Sequence, residues 1–162
     1  MKSNPTLNDS RDWAKVLHAV QTDKSGKPYI GHIERVVAHL QQHFVDFTED
    51  QLHVAYLHDV IEDCGVTKSD FFDKGYKDKI VKTIELVTKP KGRMSNIDYE
   101  EWTRSLIASQ NIDAIRVKFS DMTDNFNKKR MSQLDTQERN KLNNKYARPY
   151  RMLVNAVYEE ET

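Results

Sequence analysis

Apolar residues recur three and four positions apart along nearly the whole chain, whereas alternation of the β-strand type is almost absent. The clearest example begins near His32, where one apolar stripe contains Ile33, Val36, Val37, Leu40 and Phe44. The chain has 162 residues, the length of one average domain. We therefore predict an all-α helical bundle in which residues 1–162 form a single domain.

Capping signals divide this pattern into separate helices. Three pairs are typical of a helix start, namely Thr48 with Gln51, Thr67 with Asp70, and Asp135 with Glu138. We expect the helix that begins after Thr48 to run without interruption to Cys64 and Gly65, where a glycine can end it. The other helices are expected at about 8–22, from 32, at 67–72, 78–87 and 98–109, from 111, and from 135.

Charge and composition exclude several classes of function. Lys plus Arg number 25 and Asp plus Glu number 25, so the chain has no general positive field for nucleic acid or an anionic membrane. No apolar run approaches the roughly 20 residues that span a bilayer, and the polar opening does not resemble a signal peptide. We expect a cytoplasmic protein that binds neither nucleic acid nor membrane, and the pattern leaves its oligomeric state open.

The only cysteine is Cys64, so an internal disulfide is impossible and any metal site depends on histidine and carboxylate ligands. The segment TKPKGRMSN, residues 88–96, is predicted to be a loop because it is rich in lysine, glycine, proline and serine. Its positive charges either face an anion or are simply solvated, and the pattern does not decide between the two.

The stretch AYLHDVIED, residues 55–63, contains the most unusual concentration of acids. In a helix, Asp59, Glu62 and Asp63 lie on neighbouring rows near the carboxyl end, where the helix dipole already disfavours negative charge. A divalent cation would reverse that repulsion, with His58 and Asp59 as ligands and with Glu62 and Asp63 handling its bound water. The alternative is a frayed, solvated helix end with His58 packed as a neutral side chain.

Two ligands do not make a metal site, so others must come from elsewhere. Candidates are His32 at a helix start and Asp121, which lies beside an apolar stripe and needs a partner. A lysine partner for Asp121 and a structural role for His32 remain alternatives. His39 and His43 have the i, i+4 spacing of a two-histidine site but lack an accompanying acid in sequence. His18 and His53 are interpreted as structural.

The ordered segments DKSGKPYIGH, LHDVIED, LVTK and VKFSDMTDN resemble the HD-domain hydrolases of the RelA/SpoT type, over about residues 10–150. The resemblance implies an all-α HD fold with one divalent metal, usually manganese. It also implies hydrolysis of the 3′-pyrophosphate of guanosine tetra- or pentaphosphate to GDP or GTP. At the positions of the family's metal ligands stand His32, His58, Asp59 and Asp121. Glu62 and Asp63 stand where the family keeps the acids that activate water.

The resemblance also assigns substrate contacts. Lys24 and Ser25 match the basic loop that holds guanosine, Asn125 matches an asparagine near the ribose, and Tyr146 matches a tyrosine of the last helix. Lys141 is expected to contact a phosphate, with Lys145 and Arg148 as further candidates for that role.

Three positions depart from the family pattern. Asp23 stands where the family usually has a basic residue, and an acid there is expected to weaken capture of an anionic nucleotide. Met122 and Leu142 replace arginines. A different nucleotide substrate, and a noncatalytic nucleotide-binding module, are therefore kept as alternatives.

Overall fold

The computed structural model describes residues 2–159, including all of their side chains except those of residues 128 and 130. Ten helices and no β-strand occur in this range, which confirms the all-α prediction. In chain order the helices are α1 Leu7–Leu17, α2 Ile30–His43, α3 Glu49–Leu57, α4 Val60–Cys64, α5 Lys68–Lys74, α6 Asp78–Val87, α7 Asn96–Ala108, α8 Ile112–Asn125, α9 Lys128–Ser132 and α10 Thr136–Glu159.

The predicted helix starts are confirmed by the caps. Thr48 and Thr67 each form a complete capping box, and Asp135 Oδ1 accepts a hydrogen bond of 2.8 Å from the backbone N–H of Glu138. Asn111 caps α8, also as predicted. Among the differences, α1 ends at Leu17 rather than near residue 22, and the short helix α9 was not predicted.

Helices α2, α3 and α8 form the centre of the bundle, and α10 packs against α7 and α8. The predicted stripe of α2 is buried, with Ile33, Val36 and Leu40 completely inaccessible. One continuous cluster of buried apolar side chains joins the helices. Because α2 and α8 pack side by side, polar residues at the same level of these two helices meet inside the protein.

The chain between α3 and α4 is not the continuous helix that we predicted. Asp59 has φ −104° and ψ −2°, so the helix is interrupted after Leu57 and resumes at Val60. The prediction of one helix up to Cys64 is wrong, although Gly65 does end α4 in the left-handed conformation, with φ +68°. The interruption brings the Asp59 carboxylate within 3.0 Å of the imidazole Nε2 of His58 and within 2.6 Å of the Tyr29 hydroxyl.

Other sequence expectations concern single residues. Cys64 is a free thiol, and no helix of the described part of the chain is long and apolar enough to cross a membrane. His53 Nδ1 lies 2.7 Å from the buried hydroxyl of Ser10, in agreement with its structural interpretation. His18 Nδ1 lies 2.7 Å from Gln21 Oε1. That residues 1–162 form a single domain stays a prediction.

Candidate metal centre and adjoining pocket

The four candidate metal ligands meet at the base of a pocket between α2, α8 and the α3–α4 interruption. Each of His32, His58, Asp59 and Asp121 offers one ligand atom, and these atoms all lie within 4.8 Å of one another. The closest pairs are His58 Nε2 to Asp59 Oδ2 at 3.0 Å and His32 Nε2 to Asp121 Oδ1 at 3.1 Å. We call these four residues the quartet. They come from three separate segments, so their convergence is a property of the fold.

Each histidine of the quartet has a partner for its Nδ1 atom, on the side of the ring away from the other ligands. His32 Nδ1 lies 2.7 Å from Asp124 Oδ2, and His58 Nδ1 lies 2.7 Å from the backbone carbonyl of Ala55. Because a carbonyl oxygen only accepts, His58 donates through Nδ1 and directs Nε2 toward the quartet. The same arrangement around metal-bound histidines orients the ring and selects the tautomer.

The acids of the quartet have outer partners as well. The Tyr29 hydroxyl donates to Asp59 Oδ2 at 2.6 Å, and Lys118 Nζ donates to Asp121 Oδ2 at 2.8 Å. Asn125 Nδ2 donates to the other oxygen of Asp121 at 3.4 Å. All four members of the quartet are therefore fixed before any ligand binds.

The quartet fits a divalent cation. His58 Nε2 is buried and lies 3.0 Å from Asp59 Oδ2 and 3.6 Å from Asp121 Oδ1, but within the described part of the chain it forms no hydrogen bond of good geometry. A cation between these atoms would satisfy all three. Burial alone would lower the pKa of His58, yet the neighbouring negative charges of Asp59 and Asp121 raise that pKa well above its usual value. Two imidazoles and two carboxylates are a donor set suited to a borderline or hard divalent ion.

Glu62 and Asp63, the predicted water-handling acids, line the pocket beside the quartet. Burial and the charge of Asp59 raise the pKa of Asp63, whose Oδ2 accepts a hydrogen bond of 3.0 Å from Gln21. Burial also raises the pKa of Glu62, although Lys89, with Nζ 3.6 Å from Glu62 Oε1, partly opposes the effect. A carboxyl group with a raised pKa is a better proton acceptor than an ordinary surface carboxylate.

The pocket above these groups has a volume of about 280 Å³. Of the predicted substrate contacts, four line it: Lys24, Ser25, Asn125 and Tyr146. The fifth, Lys141, is exposed and does not line it, so its contact with a phosphate stays a prediction. Lys141 precedes Leu142 on α10, and Leu142 takes the inward direction and lines the pocket.

Two other basic residues of α10 were candidates for the same role. Arg148 is directed outward and forms a salt bridge with Glu100 at 3.4 Å. Lys145 is half-buried and its Nζ lies 5.1 Å from the ring centre of Tyr146. Together with Lys89 and Glu62 it lines a cleft that adjoins the pocket. We call Lys24, Lys89 and Lys145 the basic rim.

The basic rim is a local concentration of positive charge in a protein without net charge. Burial lowers the pKa of Lys145 to about 8, and the positive charges of Lys89 and Lys24 add to the shift. Lys91 and Arg93 of the segment 88–96 line the same cleft. This arrangement favours the interpretation that the segment faces an anion.

The three departures from the family pattern have different surroundings. Asp23 turns its carboxylate into its own loop, where Oδ1 accepts hydrogen bonds from Ser25 N at 2.9 Å, Ser25 Oγ at 2.7 Å and Lys27 N at 3.0 Å. The carboxylate therefore organises the loop. Its negative charge is partly compensated by these hydrogen bonds, so it should repel an anion less than expected from the sequence. Met122 is fully buried beneath Tyr99, whereas Leu142 lines the pocket.

Several residues of the site were missed from sequence. Lys118 lines the pocket although it belongs to the apolar face of α8, and the rings of Tyr99 and Trp102 lie 5.7 and 5.2 Å from its Nζ. Its i, i+3 spacing to Asp121 was an available signal. Tyr29 and Asp124 had no such signal, because their partners are distant in sequence. The pair His39 and His43 does not converge as a two-histidine site: His39 faces Asp124, and His43 packs edge-on against Phe119.

Curated proteins with similar sequences share one description. The chain is 35% identical over 124 residues to a guanosine-3′,5′-bis(diphosphate) 3′-pyrophosphohydrolase of Vibrio cholerae, a match that covers 74% of this chain. It is 34% identical over 117 residues, or 69% of the chain, to the bifunctional (p)ppGpp synthase/hydrolase SpoT of Escherichia coli. The chain spans only about a sixth of the length of these relatives, since the matches cover 17% and 16% of them.

A solved structure has the same fold. It is described as a metazoan ortholog of SpoT that hydrolyzes ppGpp, and it superposes with a TM-score of 0.72 over 98% of both chains at 17% identity. No model of a protein family matches the chain. The likeness to this structure concerns the fold, and the likeness in sequence is to the curated relatives.

Proposed function

The chain belongs to the HD-domain hydrolases of the RelA/SpoT type, and we propose that it hydrolyses the 3′-pyrophosphate of guanosine tetra- or pentaphosphate with a divalent metal ion, Mn²⁺. The products are GDP or GTP and pyrophosphate. The observation that carries the proposal is the convergence of the quartet within 4.8 Å at the base of a pocket that Glu62 and Asp63 also line. The relatives that match the chain support the choice of substrate.

The quartet is the proposed metal site, with His32 and His58 as nitrogen ligands and Asp59 and Asp121 as oxygen ligands. When bound, a divalent ion lowers the pKa of a water molecule and neutralises charge on phosphoryl oxygens. Mn²⁺ accepts this mixture of imidazole and carboxylate ligands, and the relatives imply a divalent metal without specifying it.

Glu62 and Asp63 act on the attacking water. As the water oxygen attacks the phosphorus atom attached to O3′, one of these carboxylates takes up the proton. The bond between that phosphorus and O3′ breaks, pyrophosphate leaves, and the nucleoside oxygen gains a proton. The raised pKa of Glu62 and Asp63, caused by burial, suits this exchange, and no covalent intermediate on the chain is required.

The remaining pocket residues hold the nucleotide. In this proposal Lys24 and Ser25 contact the guanosine, and Asn125, which lies beside the quartet, contacts the ribose. Tyr146 forms part of the pocket wall. The basic rim attracts the phosphate groups. Its lysines repel one another, and an anion bound between them relieves that repulsion. Of the three basic residues of α10 that are candidates for a phosphate contact, we favour Lys145, because it lines the cleft beside the pocket.

A second candidate is hydrolysis of a different nucleotide by the same residues. Leu142 favours it, because this side chain is 7% exposed in the wall of the pocket at a position where the family has an arginine. An apolar side chain there removes a phosphate contact and leaves the quartet and the acids unchanged.

The test is product analysis with purified protein, Mn²⁺ and guanosine tetraphosphate. We expect GDP and intact pyrophosphate in equal amounts, and no turnover after the metal is removed with a chelator. Release of orthophosphate would place the attack between the two phosphates and contradict the proposal. No reaction with this substrate, together with hydrolysis of another nucleotide, would favour the second candidate.

A further inference from the structure

Asp124 lies at the centre of a buried charge network behind the quartet. Its carboxylate is completely inaccessible, and its two oxygens have different partners. Oδ2 lies 2.7 Å from His32 Nδ1, and Oδ1 accepts a hydrogen bond of 2.8 Å from Arg35 Nε. Burial alone would raise the pKa of Asp124, but hydrogen bonds with His32, His39 and Arg35 hold that pKa far below its usual value. Asp124 therefore remains a carboxylate.

Arg35 extends from this network toward the loop formed by residues 23–27. Its Nη2 forms an ion pair with Asp23 Oδ2 at 3.9 Å, whereas Asp23 Oδ1 accepts the hydrogen bonds of the loop. The Asp23 side chain is 2% exposed, so this pair of charges is shielded from water on one side. The same loop presents Lys24 and Ser25 to the pocket.

Gly31 makes room for this arrangement. It lies one helical turn before Arg35 on α2, and a Cβ atom at this position would come within 3.1 Å of Arg35 Nη1. A glycine in the first turn of a helix costs stability relative to alanine. Its presence is explained by the space that the guanidinium occupies between Asp124 and Asp23.

We propose that Arg35 is a positioning residue shared by both halves of the site. Through Asp124 it orients the imidazole of His32, and through Asp23 it holds the loop that contacts the nucleoside. A planar guanidinium suits this task, because its Nε–H donates to Asp124 while the positive charge at its far end attracts Asp23. The nucleoside half of this inference rests on the proposed function, whereas the metal half depends only on the quartet.

Binding measurements in the absence of turnover test the two halves separately. Asp124→Asn keeps the size of the side chain, but its single oxygen cannot accept from both His32 and Arg35. We expect about ten- to a hundredfold weaker Mn²⁺ binding by isothermal titration calorimetry, the usual cost of losing an outer partner of a metal ligand. The dissociation constant of GDP should remain within about twofold of the wild type, since the Arg35 contact with Asp23 persists.

Arg35→Gln should weaken both ligands, Mn²⁺ by about tenfold and GDP by a few-fold, because it removes both contacts at once. Gly31→Ala should also weaken the binding of Mn²⁺ and GDP, but by a smaller factor. This variant tests the inference if Arg35→Gln fails to fold. Arg11→Gln is the matched control: Arg11 also pairs with a carboxylate on α2, Glu34 at 3.0 Å, but both side chains are about half exposed. It should change neither dissociation constant.

Thermal denaturation of the metal-free variants separates positioning from a purely structural role. A structural role would lower the melting temperature and leave both dissociation constants at the wild-type value, which would overturn the inference. Unchanged Mn²⁺ binding by Asp124→Asn would overturn its metal half. Unchanged GDP binding by Arg35→Gln would overturn its nucleoside half. A wild type that binds Mn²⁺ but not GDP would contradict the proposed function together with that half, and the metal half would stand.

Discussion

The quartet and the basic rim both adjoin the space that Glu62 lines, and the protein builds them differently. In the quartet, no side chain is more than 15% exposed, and each has an outer partner within 2.8 Å. In the rim, Lys89 is 25% exposed and pairs with Glu62 at 3.6 Å, and Lys24 is exposed. The quartet depends on distances set by buried hydrogen bonds, whereas the rim depends on accumulated charge. Changes near the quartet should therefore affect turnover, and changes in the rim should affect capture of the substrate.

The largest effect is expected at the acids beside the quartet. Glu62→Gln keeps the shape of the side chain and removes the proton acceptor, so kcat should fall by about a hundredfold or more while KM changes little. Steady-state kinetics with guanosine tetraphosphate measure the two constants, and calorimetry should show unchanged Mn²⁺ binding. A near wild-type kcat would mean that Glu62 belongs functionally to the rim, through its contact with Lys89.

A smaller effect is expected in the rim. Lys145→Gln removes a half-buried positive charge, so KM should rise by about tenfold with kcat nearly unchanged, as for loss of one charge-assisted hydrogen bond. Arg148→Gln is the control, because Arg148 lies on the same helix but pairs with Glu100 away from the pocket. The effect of Lys145→Gln should diminish at high ionic strength, where the wild type also binds less tightly. Equal KM values for the two variants would show that Lys145 does not meet the substrate.

The smallest effect is expected in the pH dependence of kcat/KM, through the titration of Lys145 in the rim. The pKa of Lys145 is lowered to about 8 by burial and by the charges of Lys89 and Lys24. Its positive charge is present below that pH and is lost as pH rises through it, so kcat/KM should decrease a few-fold on the alkaline side. Lys145→Arg should remove this decrease, because a guanidinium stays charged. The same decrease in Lys145→Arg as in the wild type would assign it to another group.

Much of the fold could be predicted because its signals are local. A capping box involves residues three positions apart, so Thr48 with Gln51 and Thr67 with Asp70 marked helix starts that the structure confirms. The apolar stripe of α2 could also be predicted, because its residues recur three and four positions apart. The interruption at Asp59 was missed because the contact that accompanies it, a hydrogen bond from Tyr29 to the Asp59 carboxylate, joins residues 30 positions apart in sequence.

The sequence by itself determined the helices, the ligand types and the crowded acids of residues 58–63, since these follow from spacing and from the chemistry of single side chains. The tertiary structure alone decided that Lys145 of α10 lines the cleft beside the pocket, and that Asp23 faces its own loop. It also decided that Asp124, Tyr29 and Lys118 support the quartet. The direction of a side chain toward a shared pocket depends on how helices α2, α8 and α10 pack against one another, and that packing joins residues up to 92 positions apart, as His32 and Asp124 are.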